Sequence, residues 1–301
     1  MAAPDAPTAD SICTEGLEQA GYSSPTAAQL TQAAEWLEQI KNDIWLLGKR
    51  LKSLQAEHVE VLTPGVSRYD FPAGLSSVAF GKVLYGDEAD DVEDSAAATV
   101  TLDSSDEDEG EDELEGKEIL IYSGTGKGSL SQIYSYDEDT YIASVSPAWA
   151  DTSNGTAPVA GDTYMIVDQY TPLEIEPMPF FNLLASPHET GRPQKLYPVG
   201  SEDQYGYYHI YPTPDEDYYY GIHLIYYLNL LTLDLASTRM TTLYYRWRNL
   251  WIQGVKAKQL ERDDDGRAVV EMTRYFAMVK DIASLETYGR TVKQHYTGIK
   301  A

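Results

Sequence analysis

Leu30, Ala33, Leu37, Ile40, Ile44, Leu47, Leu51 and Leu54 follow one another in alternating steps of three and four. In an α-helix that spacing lines all eight side chains along one narrow stripe, the a/d seam of a heptad pattern. The spacing predicts a helix from about residue 26 to 58, with Trp36 and Trp45 widening its apolar face. A stripe of this length has to be covered. The C-terminal region supplies covers of matching period. Leu243, Trp247, Leu250, Gly254 and Ala257 share one helical face. After the helix-breaking Asp263-Asp-Asp-Gly266, residues Val269, Met272, Phe276, Val279 and Ala283 repeat the three–four spacing. A bundle within the chain therefore accounts for the seam more simply than a free dimeric coiled coil.

Upstream, residues 10–23 read as a short helix ending near Gly21, and Ser24-Pro25 as an N-cap followed by proline at the first helical position. From Val59 the period changes from helical to alternating. Val59 to Pro72 reads as strand, turn, strand, and another strand is expected near 77–85. Strands are expected at Lys117–Ser123, Ser131–Tyr136, Tyr141–Ser146 and Tyr164–Gln169, punctuated by Gly-Thr-Gly-Lys-Gly, Asp-Glu-Asp and Asn154-Gly155. A second β set covers Lys195–Val199, Tyr205–Tyr211 and Tyr218–Leu230. The last of these is rich enough in Tyr, Ile and Leu to be buried on both faces. The fold class is α+β: a discontinuous helical bundle, made of the long N-terminal helix and the C-terminal helix pair, with an antiparallel β-sheet or β-barrel-like region inserted. The expected segments are 1–58 helical, 59–86 strands, 87–115 an acidic flexible loop, 116–170 a β module, 171–235 a sheet region and 236–301 the closing helices and tail.

Charge divides the chain. The net charge is −26, and residues 87–115 hold fifteen acids with no Lys or Arg. The run Asp106, Glu107, Asp108, Glu109, Glu111, Asp112 and Glu113 repels itself and suits a solvated loop. It fails the calcium-loop pattern, because placing Gly110 sixth puts Ser105 first and Gly116 twelfth. From Arg239 to Ala301 the balance reverses, with twelve basic residues against seven acidic ones. An acidic chain lacks the footprint of a general nucleic-acid binder or of a protein docking on anionic lipid. No apolar run reaches the roughly 18 residues of a membrane helix, and the N-terminus lacks the basic and apolar regions of a signal peptide. The single cysteine, Cys13, rules out an internal disulfide framework and a cysteine zinc cluster, which fits a reducing cytoplasm.

The catalytic patterns are absent or broken. Gly124-Thr-Gly-Lys127-Gly-Ser129 resembles a phosphate loop, but Ile121 stands where the first Gly belongs, Gly128 follows the lysine, and a strand follows the loop. His188-Glu189 begins a zincin motif that Arg192 ends. His58, His188, His209, His223 and His295 lack ligand spacing, and there is no Gly-x-Ser-x-Gly elbow. No catalytic residue, metal or cofactor is expected. Tyrosine outnumbers phenylalanine 24 to 5, with clusters at Tyr205–Tyr208 and Tyr218–Tyr220. Tyr suits half-buried sheet faces, subunit interfaces and carbohydrate platforms alike.

In order, four segments resemble the head–tail adaptor (connector, or head-completion) proteins of tailed bacteriophages, especially short-tailed ones. They are the opening helix with Ser24-Pro25-Thr26-Ala27 and the Trp36/Trp45 helix; Ser67-Arg-Tyr-Asp-Phe-Pro72, where the family often has Tyr-x-Leu-Pro; Gly191-Arg192-Pro193 leading to Tyr208-His-Ile-Tyr-Pro-Thr-Pro-Asp215 and Tyr226-Tyr227; and the C-terminal helix pair. Together they cover about three quarters of the chain. Residues 116–168 resemble an inserted phage structural β module through Gly116-Lys117, Ser123-Gly-Thr-Gly-Lys-Gly128, Ile133-Tyr-Ser-Tyr-Asp137 and Val145-Ser-Pro-Ala-Trp149.

The resemblance implies a structural virion protein and not an enzyme. It would be assembled in the host cytoplasm as a homo-oligomeric ring, dodecameric, beneath the portal at the head–tail junction. The ring would extend the channel through which double-stranded DNA passes and carry the tail nozzle or tube. On that reading Leu30, Leu37, Ile40, Ile44, Leu47, Leu51, Leu54, Trp247 and Phe276 pack copies together. Arg246, Arg248, Lys256, Lys258, Lys293 and Lys300 face the portal or another acidic partner, with Lys256 and Lys258 equally readable as solvated helix charges. The competing expectations are a β-rich tail module binding host polysaccharide through tyrosine faces, a virion-borne cell-wall hydrolase, and an acidic DNA mimic.

Overall fold

The computed structural model describes residues 9–47, 54–103, 114–167, 169–176, 189–201, 204–229 and 242–288. The chain is mixed α+β and divides into two compact units, Met1–Gln55 with Tyr227–Ala301, and Ala56–Tyr226.

The first unit contains α1 (Ala9–Ala20), α2 (Ala27–Leu47), α3 (Thr242–Arg262) and α4 (Ala268–Tyr288). The α1 helix buries Ile12, Cys13, Gly16, Leu17 and Ala20. It ends as the sequence predicts. Gly21 takes φ +117°, and the N–H groups of Gly21 and Tyr22 reach the carbonyls of Glu18 and Leu17, both at 3.0 Å. This is a Schellman closure, which favours glycine at the left-handed position. The start of α2 corrects the Ser24-Pro25 cap. The capping pair is Thr26 and Gln29: the Thr26 N–H donates to Gln29 Oε1 at 2.8 Å, and the Gln29 N–H reaches back to Thr26 Oγ1 at 3.4 Å.

The seam helix is described from Ala27 to Leu47, and residues 48–53 lie outside the described residues. A strand begins at Gln55, which corrects the expected helical end near residue 58. The end of Gln55-Ala-Glu-His-Val-Glu-Val alternates, so Val59 and Val61 turn inward in an extended chain. Leu54 is buried in the helical core all the same, although it lies beyond the helix.

At the centre stands α3, which packs on each of the other three helices. Trp247, Leu250, Trp251, Ile252, Val255, Ala257 and Leu260 are all buried along it. The turn after it is a second Schellman closure with an aspartate in the left-handed seat. Asp264 has φ +52°, and Asp264 and Asp265 donate to the carbonyls of Glu261 and Leu260. Asp265 then accepts the Arg267 N–H at 2.8 Å, which starts α4. The buried α4 face agrees only in part with the sequence reading: Val279 is buried and Met272 packs partly on the core, but Glu271 and Tyr275 are buried as well, while Val269 and Phe276 are exposed.

The second unit consists of three open sheets. The first contains β1 (Gln55–Val61), β3 (Leu75–Gly86), β11 (Gln169–Pro172) and β15 (Tyr219–Leu228), in the order β1-β15-β3-β11. The doubly buried strand is β15, with Tyr220, Ile222, Leu224, Tyr226 and Tyr227 inside. Another sheet contains β2 (Arg68–Asp70), β12 (Glu174–Ile175), β13 (Lys195–Ser201) and β14 (Gln204–Tyr211), in the order β12-β13-β14-β2.

The largest sheet has seven strands: β4 (Asp90–Asp91), β5 (Asp94–Ala96), β6 (Thr99–Thr101), β7 (Glu118–Ile121), β8 (Leu130–Asp137), β9 (Ile142–Ser146) and β10 (Thr163–Val167). Their order is β4-β10-β7-β8-β9-β6-β5. Two expectations are corrected here. The region is not a closed barrel; the two end strands are instead the halves of one segment, Asp90–Ala96, interrupted at Val92-Glu93. Nor is 87–115 a loop throughout, because its first part forms β4, β5 and β6. Val92, Val100, Leu102 and Leu114 are buried with Trp149 at the module centre. Four apolar residues at suitable places outweigh the surrounding acids, whose carboxylates can point outward from short strands. Asp106–Asp108, Glu109 and Glu111–Glu113 lie outside the described residues.

Gly16 marks the closest approach of α1 to α3. A Cβ there would sit 2.7 Å from both Cβ and Cγ1 of Val255. Alanine gains up to about 1 kcal/mol of helix propensity, but overpacking of this kind costs about 1–3 kcal/mol. Gly16→Ala should therefore lower the thermal midpoint by a few degrees. Gly266→Ala, where a Cβ meets nothing within 4 Å, should leave it within about a degree by the usual scale of exposed substitutions.

Candidate interaction surfaces

The outward side of α4 leaves apolar side chains open to solvent. Val269 is 76% exposed and Phe276 50%. They share a face with Met272, because residues three and four apart lie one above another on a helix. An open groove of about 590 Å³ runs along this face, rimmed by Glu261, Asp264 and Asp265 of the α3–α4 turn. Asp265 is engaged by the Arg267 guanidinium at 2.8 Å, and its carboxyl is held down at about 2 by those hydrogen bonds. Among the described residues, Glu261 and Asp264 make no ion pair. The α4 face turns this way because the buried side has stronger partners. Tyr275 donates its hydroxyl to Asp43 at 2.8 Å, while burial and that carboxylate push its own ionisation up.

The residues expected to pack copies together are mostly consumed within the chain. Leu37, Ile40, Ile44, Leu54 and Trp247 belong to one buried cluster, with Leu30 packed partly against it. These side chains are not available to a sister copy, because α3 covers the seam. Leu51 and the Leu47 side chain lie outside the described residues. Only Phe276 stays exposed.

The expected partner-facing bases are corrected for the same kind of reason. Lys256 is 3.0 Å from Glu271, and Lys258 is 3.6 Å from Asp43. Both lysines are largely buried, so they neutralise internal carboxylates instead of reaching outward. The Gln253 amide and Lys256 together hold the Glu271 carboxyl below its usual range. Arg248 pairs with Glu15. Lys293, Lys300 and the Arg246 side chain lie outside the described residues.

The β module holds a built anion seat that is already filled. Asp162 accepts the N–H groups of Thr125 at 2.9 Å, Gly126 at 2.9 Å and Val159 at 3.1 Å. Gly124 has φ +85°, and a Cβ there would lie 1.9 Å from Asp162 Oδ1. The glycine-rich loop thus offers its backbone donors as a phosphate loop does, but to a carboxylate of its own chain. Sequence reasoning missed Asp162; its only signal was the otherwise purposeless Gly-Thr-Gly turn.

Among the described residues, the most exposed tyrosines lie on separate sheets. Tyr134 and Tyr170 are 60% and 59% exposed on different sheets. Tyr85 is capped by the Arg192 guanidinium, 3.4 Å above its ring, and Tyr218 meets it edge-on at 6.1 Å. Tyr208 is fully buried against Phe71 and Tyr69. His58 pairs with Glu60 and His223 with Glu57. Burial, with Lys82 nearby, lowers the His223 pKa. No group of three or more potential metal ligands exists among the described residues, and no described helix is long and apolar enough to cross a membrane.

No protein-family model matches the sequence, and no curated protein matches it.

Burial alone would raise the Asp162 pKa, but the three N–H donors outweigh it and leave the carboxyl below its ordinary value. A depressed folded value stabilises above the unfolded carboxylate pKa of about 4 and is lost as pH falls through the folded one. Hydrogen bonds to a charge are worth about 1.5–3 kcal/mol. Asp162→Ala should therefore speed amide exchange at Thr125 and Gly126 by about 100-fold, equivalent to about 3 kcal/mol. In the unmodified chain the same amides should lose protection only below about pH 4.

Proposed function

We propose that this chain is a structural virion protein, a head–tail adaptor whose copies form a ring beneath the portal of a tailed phage. In this reading the four helices are one discontinuous bundle, built from both ends of the sequence, and the sheets are an insertion between its halves. The observation that carries the proposal is the order of the four resembling segments, from Ser24-Pro25-Thr26-Ala27 to the C-terminal helix pair. The division of the chain supports it, since Met1–Gln55 and Tyr227–Ala301 share one compact unit while Ala56–Tyr226 forms another.

Electrostatics is compatible with the task. A channel for double-stranded DNA has to let a polyanion slide without holding it. Negative walls do so by refusing the counterion exchange that drives phosphate binding. The net charge is −26, and the largely buried Lys256 and Lys258 answer carboxylates of their own chain. The ring extends the portal channel and presents a platform for the tail nozzle or tube.

Electron microscopy of the purified chain, alone and mixed with the portal protein of the same phage, tests this. Coaxial rings on the portal, twelve copies in each, are the expected result. A chain that ignores portal and binds capsular or lipopolysaccharide glycans would overturn the adaptor reading in favour of a tail module.

A further inference from the structure

The groove at the α3–α4 turn has a definite chemical character. Its floor is apolar, formed by Val269, Met272 and Phe276, and its rim carries the acids Glu261 and Asp264 beside the Asp265–Arg267 pair. A fitting occupant carries apolar side chains interleaved with bases and bears no acids. Residues 289–301 have that composition. They read Gly-Arg-Thr-Val-Lys-Gln-His-Tyr-Thr-Gly-Ile-Lys-Ala, with Arg290, Lys293 and Lys300 basic, Val292, Tyr296 and Ile299 apolar, and no Asp or Glu.

We propose that residues 289–301 of one copy dock in the α3–α4 groove of a second copy, forming a head-to-tail contact. Polarity argues for the second copy. The groove lies at the start of α4, and the segment follows its other end, after Tyr288. Twenty-one helical residues separate those ends by about 31 Å at 1.5 Å per residue. To occupy its own groove the segment would have to reverse at Tyr288 and run back along most of the helix. Between copies, the end of one α4 meets the start of the next. Such a contact joins two different surfaces, and a repeated heterologous contact closes into a ring when its rotation permits. The inference rests on the ring reading for its biological setting, but the contact it names is a property of the chain alone.

The groove also offers what a docking segment needs energetically. Covering Val269 and Phe276 removes apolar surface from water at about 25 cal/mol per Å². The uncompensated Glu261 and Asp264 steer a basic segment toward the site and reject an acidic one.

Site-directed cross-linking of the full chain tests the proposal. Thr273→Cys places a thiol in the groove wall, and Ile299→Cys places one in the segment. Cys13 does not compete, because it is buried and its thiol is pushed up to about 12 by burial and Asp10. The two singly substituted chains are mixed at high concentration and treated with a short bismaleimide. A mixed covalent dimer is expected. Its yield should fall several-fold in about 1 M salt, where charges are screened beyond about 3 Å, and also when Lys293→Glu and Lys300→Glu are added. Absence of that dimer would overturn the proposal. So would a cross-link formed only within a doubly substituted chain, which would mean that the segment folds back on its own groove. Rings on the portal without the mixed dimer would sink the tail contact and leave the adaptor reading standing. A mixed dimer from a chain that ignores portal would do the reverse.

Discussion

The burial of α3 holds the helical unit together. Its Trp247, Trp251, Leu250 and Val255 are at most 2% exposed, and the other three helices provide their surroundings. Two of those helices come from the beginning of the chain. Neither end can therefore bury its apolar stripe alone, and the two must meet across the whole intervening sequence. The entropy of closing such a loop grows only logarithmically with its length. On the reading proposed above, an insertion between the two halves costs little more when long than when short.

The same packing decides where the positive charge goes. With 22 basic residues against 48 acidic ones, each base drawn inward makes the exterior more negative. Lys256 and Lys258 lie on the inner helix and answer Glu271 and Asp43. An unpaired carboxylate in that setting would be costly, and pairing removes the penalty without adding much stability. The β module solves a related problem with backbone donors, as Asp162 needs no cation because three N–H groups converge on it. Among the described residues, Glu271, Asp43 and Asp162 are each met by such partners.

The face that α4 shows to solvent follows from competition between two stripes. Val269, Met272 and Phe276 have the spacing of a core face, but Glu271, Tyr275 and Val279 hold the inner side. The inner stripe wins because it brings hydrogen bonds and ion pairs along with its apolar area: Tyr275 reaches Asp43, and Glu271 reaches Gln253 and Lys256. The losing stripe becomes a surface left to an external partner, and the acids of the neighbouring turn give it a sign.

By itself the sequence determined the α+β class, the seam of α2, the glycine stop at Gly21, the doubly buried β15 and most strands of the module. These depend on local period, on turn chemistry and on one residue's backbone freedom, all of which are written in adjacent positions. It could not determine that residues 55–58 belong to a strand, since Leu51 and Leu54 keep the helical spacing up to that point. Nor could it show that Val92, Val100 and Leu102 would draw an acid-rich stretch into a sheet, that Asp162 would fill the glycine loop, or which stripe of α4 would face inward. Tyr275 meets Asp43, and Asp162 meets Gly126, across long stretches of sequence. Such choices are settled by the burial and pairing energies of groups brought together in three dimensions, and no local pattern contains them.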